Sequence, residues 1–204
     1  IRSCSLEDGM ATAVLQTVRQ MATRFSISPF DEDRGTGDLR HILIRTGWKT
    51  RETMVVLVTA KKDFPHKDDF VSAIHQKNPN VVTVVQVINN EKTSMVIPKD
   101  SEEIILWGKG YIVDNLCGLD FRISAKSFYQ VNPEMAERLY EIAMNMARLR
   151  PTDTVIDAYC GTGTIGLVAA SRGVKEVIGI ESNPDAVKDA KLNAEANGIS
   201  NARF

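Results

Sequence analysis

Gly161, Gly163 and Gly166, with Asp157 before them and Glu181 after, are the residues whose types and spacing point to chemistry. The run 154–156 is β-branched and apolar, as expected of a parallel strand covered on both faces. Asp157 closes that strand with a carboxylate. Gly161 and Gly163 then allow a sharp turn and close approach of a ligand to the backbone. The spacing Gly161-x-Gly163-x-x-Gly166 fits a dinucleotide fingerprint, and the second strand sharpens that weak pattern. Residues 175–181 again read as a buried strand, ending in Glu181, 20 residues beyond Gly161. An acid at that place suits a bidentate hydrogen bond to a ribose.

The charge of the turn separates the cofactors that such a unit can take. Phosphates favour backbone N–H groups at a helix N-terminus. Here Asp157 and Tyr159 stand immediately before the glycines. A carboxylate at the mouth repels phosphate and suits the cationic amino acid end of S-adenosylmethionine, which is therefore favoured over a nicotinamide cofactor.

The elements that position these residues follow from local signals. Asn183-Pro184 starts a helix with a side-chain cap and a proline at its first position, and Gly198 stops it. Pro133 begins another helix through Met135, Leu139, Ile142 and Met146, and Arg150-Pro151 ends it before the glycine motif. Upstream, Ser5 with Asp8 reads as a capping-box variant opening a helix through Met10, Val14, Leu15, Val18 and Met21. Residues 37–46 set Leu39, Ile42 and Ile44 against Arg40, His41 and Arg45, and with 54–59 they read as a hairpin. A short helix at 68–76, a strongly apolar strand at 81–88 and short strands at 104–107, 111–114 and 119–124 complete this part. The expected architecture is α/β: a mixed α+β part with an antiparallel sheet over 1–122, then the opening of a doubly wound, Rossmann-like nucleotide-binding domain over 123–204.

A chain of 204 residues, 43% hydrophobic and 25% charged, can bury one or two cores. The net charge of −1 offers no global basic field. No apolar run is long enough to span a bilayer, so no membrane partner is expected. Three cysteines without paired spacing favour a reducing compartment, here the cytoplasm. The chain starts at Ile1 and stops at Phe204, where a third strand should begin, so it reads as part of a longer protein.

Ser127-Phe-Tyr-Gln-Val-Asn-Pro133, Asp157-Ala-Tyr-Cys-Gly-Thr-Gly-Thr-Ile-Gly166 and Ile180-Glu181 together resemble the RNA 5-methyluridine methyltransferases. The Tyr-Cys-Gly-x-Gly-Thr-Ile-Gly form looks most like the 23S ribosomal RNA branch. The resemblance covers most of the chain: it implies the family's central α+β domain over 1–122 and, over 123–204, the first half of its Rossmann-like S-adenosylmethionine-dependent methyltransferase domain. It implies S-adenosylmethionine contacts from Gln130, Tyr159 and Glu181, backbone approach at Gly161 and Gly163, and a further contact at Thr164. Gln130 offers a donor and an acceptor, or else caps its own loop; Tyr159 serves the cofactor or packs beside the turn.

The family's chemistry adds a cysteine thiolate to uracil C6, so that C5 attacks the methyl group, after which a general base removes the C5 proton. The resemblance puts both groups later in the domain, so no catalytic residue is assigned, and the chain alone is not expected to methylate. Cys160 lies inside the turn and reads as a small buried hydrophobe; Cys117 has no basic activator near it in sequence. Cys4 resembles the last of four cluster cysteines in many family members, but a single cysteine holds no cluster, so no metal is assigned. RNA is the implied partner, 23S ribosomal RNA before transfer RNA. Arg34, Arg40, Arg45, Lys49 and Arg51, with Trp48 and His41, are the candidate contacts, and a merely solvated hairpin face is the alternative. The rivals are another RNA methyltransferase and an RNA-binding module with a degenerate methyltransferase half.

Overall fold

The computed structural model describes residues 8–204; Cys4 and Ser5 lie outside the described residues. The chain divides into two compact units. One runs to Gly47 and resumes over Arg51–Ile112; the other takes Trp48–Thr50 and Val113–Phe204. The division falls ten residues before the expected boundary, because residues 113–122 go with the second unit.

The first unit begins with α1 (Gly9–Arg24), whose N-cap is Asp8: its carboxylate accepts the Met10 N–H at 2.8 Å. Val14, Val18 and Met21 form its buried stripe, while Leu15 stays partly in solvent. β1 (Leu39–Thr46), β2 (Thr53–Thr59), β3 (Val81–Ile88) and β4 (Glu103–Gly108) make one sheet in chain order, with α2 (Lys67–Lys77) between β2 and β3. The sheet is mixed, which corrects the antiparallel expectation: β1–β2 and β3–β4 are antiparallel but β2–β3 is parallel. The cause is α2, which carries the chain back so that β3 starts at the same end as β2. Every residue of β2 is buried, as a central strand covered on both faces requires. Val14, Val18, Val55, Leu57, Phe70, Ile74 and Val84 form the core, each 0% exposed.

Leu39 packs on that core together with Ile42 and Ile44, although strand alternation would put Leu39 on the opposite face. A bulge resolves this: Leu39 pairs with Thr59 and His41 with Val58, leaving Arg40 as the extra residue.

In the second unit β5 (Tyr111–Leu116), which begins in the first, pairs with β6 (Leu119–Ser124) across Cys117 and Gly118, both with positive φ. Then come α3 (Pro133–Ala147), β7 (Thr154–Ala158), α4 (Thr164–Ser171), β8 (Glu176–Ile180), α5 (Pro184–Ala196) and β9 (Ala202–Arg203). β7, β8 and β9 form a parallel sheet in that order, and α4 buries Ala169 and Ala170 against Val177. β9 is the third strand that the sequence was expected to begin at its end. β7 is not covered on both faces as expected: Ile156 is 65% exposed, because among the described residues no element packs on that side. Met135, Leu139, Ile142 and Met146 likewise form an exposed stripe on α3. No helix among the described residues is long and apolar enough to cross a membrane.

Candidate functional site

The turn between β7 and α4 is built by backbone conformations that few residues adopt. Gly161 (φ 55°) and Gly163 (φ 80°) are left-handed, and so is Tyr159 (φ 62°), where a side chain costs energy. A Cβ on Gly161 would meet nothing within 4 Å, so that side of the turn lies open. Tyr159 is 93% exposed, which decides against the packing role.

Gly163 is the N-cap of α4 and has no side chain to satisfy the first turn. Asp157 substitutes for it from the strand. Its Oδ2 accepts the Gly166 N–H at 2.8 Å, and a Cβ on residue 166 would stand 2.7 Å from that oxygen. The third glycine of the motif is thus explained by the carboxylate. Asp157 is buried rather than displayed at the mouth, and burial raises its pKa above the ordinary carboxylate value.

Glu181 follows β8 and reaches back to the turn. Its Oε2 accepts the Gly161 N–H at 3.0 Å, while Oε1 accepts the N–H groups of Ser182 at 2.7 Å and Asn183 at 2.8 Å. The backbone hydrogen bond from Asn183, with those from Gly161 and Ser182, holds this carboxyl below its usual range. Oε2 keeps a free lone pair, whereas Oε1 is already saturated. A ribose hydroxyl therefore has a ready acceptor on Oε2, and bidentate capture requires Oε1 to give up a backbone partner.

The sequence candidates are brought together unevenly. Gly161 and Glu181 are bonded directly. Thr164 spends its hydroxyl on Tyr140 of α3, at 3.0 Å. Gln130 is half-buried in the loop before α3, and its amide has no hydrogen-bond partner among the described residues, which removes the loop-capping role. That loop is fixed by its neighbours: Ser127 Oγ accepts the Ser124 N–H at 2.9 Å, and Asn132 Oδ1 accepts the Met135 N–H at 3.1 Å. A free amide, an open glycine turn, an exposed ring and a carboxylate with a spare lone pair fit the amino acid and ribose ends of S-adenosylmethionine.

Neither described cysteine is primed as a nucleophile. Burial pushes the Cys160 thiol up to about 11, with Asp157 and Glu181 adding to it, and burial also raises Cys117. Among the described residues no group of three His, Cys, Asp or Glu stands ready for a metal.

Two of the RNA candidates are withdrawn by the structure. The Arg40 side chain is 0% exposed. It pairs with both Glu32 oxygens, donates to the Asn89 and Glu91 carbonyls, and lies 4.7 Å from the Phe30 ring centroid. Arg45 is largely buried, and desolvation lowers its pKa. Lys49 pairs with Glu137 and lies over Trp48, Arg51 pairs with Asp8, and Arg34 keeps 82% of its side chain in solvent. A cleft of about 500 Å³ in the first unit is lined by Arg34 with Lys61 and Lys92, two cations that the sequence reading passed over, and by the carboxylates of Glu32, Asp33 and Glu91.

The sequence reading also missed Asn193 of α5. Its Oδ1 accepts the Arg122 N–H at 2.8 Å and its Nδ2 donates to the Thr162 carbonyl at 3.1 Å. The signal was a polar side chain repeating every four residues, Asp189, Asn193 and Asn197, on a helix otherwise read by its alanines.

Comparison with known proteins bears on the fold and the cofactor. Residues 149–204 match a family model described as a methyltransferase domain. An uncharacterized RNA methyltransferase of Oceanobacillus iheyensis is 41% identical over 202 residues, covering 99% of this chain and 43% of that protein. One from Clostridium tetani is 39% identical over 204 residues, 100% of this chain and 44% of its own length. The chain thus spans less than half the length of these relatives. Among solved structures, the Pyrococcus abyssi tRNA (uracil-54, C5)-methyltransferase in complex with S-adenosyl-L-homocysteine superposes on all of this chain and 48% of its own, with a TM-score of 0.84 and 26% identity. The fold is that of an α/β S-adenosylmethionine-dependent methyltransferase, in a chain similar throughout to RNA methyltransferases.

Proposed function

We propose that this chain is the cofactor-binding part of an RNA methyltransferase that uses S-adenosylmethionine and acts on C5 of uridine. The observation that carries the reading is the glycine turn with its open face, tied at Gly161 to the strand-end carboxylate of Glu181. Glu181 receives the ribose, Gln130 the amino acid moiety and Tyr159 the exposed side of the cofactor, while Gly161 lets it approach the backbone. Gly163 instead makes room for packing, since a Cβ there would stand 3.0 Å from the Phe204 ring and 3.2 Å from Ala190 Cβ. Thr164 acts through Tyr140, holding α3 to the turn. S-adenosylmethionine supplies an electrophilic methyl group; the residues of this chain bind and orient it.

Uridine C5 is favoured by the Phe-x-Gln-x-Asn-Pro loop and by similarity along the whole chain to the Pyrococcus enzyme. The Tyr-Cys-Gly-x-Gly-Thr-Ile-Gly form favours 23S ribosomal RNA, processed in the cytoplasm, whereas that structural likeness favours transfer RNA. Arg34, Lys61 and Lys92 are the RNA contacts we infer on the first unit, in place of Arg40 and Arg45.

The test is methyl transfer from labelled S-adenosylmethionine by the full-length protein to unmodified 23S and transfer RNA transcripts. Label at uridine C5 of one of them selects the substrate. Cofactor binding without label on either transcript would move the reading to another acceptor.

A further inference from the structure

α5 presents Asp189, Asn193 and Asn197 at intervals of four residues, one above another on a single face. β6 presents its backbone at intervals of two. A helical step of four residues and a strand step of two rise by similar amounts, about 6 Å and 6.7 Å, so helix side chains can match strand groups one for one. They do. Asn197 accepts the Asp120 N–H at 2.9 Å and donates to the Asp120 carbonyl at 2.7 Å. Asn193 accepts the Arg122 N–H, and Asp189 accepts the Ser124 hydroxyl at 2.9 Å. At Asp120 and Arg122 α5 thereby supplies the backbone hydrogen bonds that a neighbouring strand would otherwise give, while at Ser124 it holds the side chain.

The middle rung differs from the others in what its second atom holds. The Asn193 amide, 1% exposed, donates to the carbonyl of Thr162, the residue between the two left-handed glycines of the turn. Glycines leave that turn without side chains to fix it. The other end of the same amide holds β6, which runs into the loop carrying Gln130. Only an amide of this length offers an acceptor to one backbone group and a donor to the other.

We propose that Asn193 is a positioning residue of the cofactor site, setting the glycine turn relative to the strand from which the Gln130 loop departs. The inference rests on the cofactor reading proposed for that turn. Asn193→Asp keeps the acceptor for Arg122 but turns an oxygen towards the Thr162 carbonyl. Asn197→Ala cuts the same ladder at Asp120 and leaves the turn untouched.

The experiment measures S-adenosylhomocysteine binding by calorimetry, thermal melting, and kcat with KM for S-adenosylmethionine, all on the full-length protein. Asn193→Asp should raise Kd about tenfold, the worth of one buried hydrogen bond, and raise KM with kcat at saturation retained. Asn197→Ala should lower the melting temperature yet bind as the wild type does. Equal weakening by both variants would overturn the proposal, as would wild-type affinity in Asn193→Asp. Should Asn193→Asp fail to fold, Asn193→Ala, in which water can satisfy both backbone groups, carries the same comparison, and wild-type affinity there is equally fatal. A wild-type protein that binds no S-adenosylhomocysteine would overturn the cofactor reading itself, an outcome distinct from a wild type that binds and a variant indistinguishable from it.

Discussion

Replacing Glu181 by Gln tests whether the strand-end carboxylate stabilises the site as an ion or merely as an acceptor. In the folded protein its two oxygens accept N–H groups from Gly161, Ser182 and Asn183 at 3.0, 2.7 and 2.8 Å. Hydrogen bonds to a charged acceptor contribute about 1.5–3 kcal/mol and neutral ones about 0.5–1.5. The glutamine keeps one oxygen and sets an NH2 group against the donors on the other side. Because Glu181 is half-buried, solvent still screens part of the difference, leaving about 1 kcal/mol, or about 2–8 °C in melting temperature according to the size of the cooperative unit. The sign with pH follows from the lowered pKa, whose leading cause is the Asn183 N–H. A carboxyl depressed in the folded state contributes stability that is fully present above its unfolded pKa. That contribution is lost as pH falls through the folded value. Melting curves of both proteins should therefore run apart, at constant separation, from neutral pH to just above the ordinary carboxylate range, and converge below it. A gap that persists undiminished in acid would refute the ionic account and leave only shape.

Arg40→Ala should destabilise the first unit by about 3 kcal/mol in urea unfolding, since it strands the carbonyl and Oδ1 of the buried Asn89 and opens a void at a side chain 0% exposed. A loss below about 1 kcal/mol would return Arg40 to the list of surface cations free for RNA. Gly166→Ala sets two effects of opposite sign against each other. Helix propensity favours alanine by about 1 kcal/mol, but the added Cβ would stand 2.7 Å from Asp157 Oδ2 and 3.2 Å from Val177 Cγ1. Displacing a carboxylate that caps the helix should win, with a net loss of about 1–2 kcal/mol. A stabilised variant by thermal melting would show that Asp157 does not hold the turn.

What the sequence made legible was chiefly local. Left-handed glycines, a proline after an asparagine cap and apolar runs between turn residues act within a few positions, and they located the glycine turn, α5 and most strands. The parallel pairing of β2 with β3 was also open to reading, because a helix between two largely apolar strands is a crossover signal; treating residues 37–59 as an isolated hairpin obscured it. Leu39 beside Ile42 was a trace of the bulge at Arg40, visible as a face assignment that strict alternation cannot produce. The fate of Arg40 itself was not legible, since its partners Asn89 and Glu91 lie 49 and 51 residues away and a basic cluster looks the same whether buried or solvated.

Glu181 shows why residue type and residue role separate at a site. Its place in the sequence announces a ribose acceptor, and nothing local announces that the same two oxygens hold Gly161 and start α5. The two duties compete for lone pairs. Oε2 can add a hydroxyl without loss, whereas Oε1 must release Ser182 or Asn183 to do so. Bidentate ribose binding would then loosen the residues that lead into α5, the helix whose Asn193 steadies the opposite side of the glycine turn. Monodentate capture through Oε2 keeps both supports, and it is the mode this geometry favours.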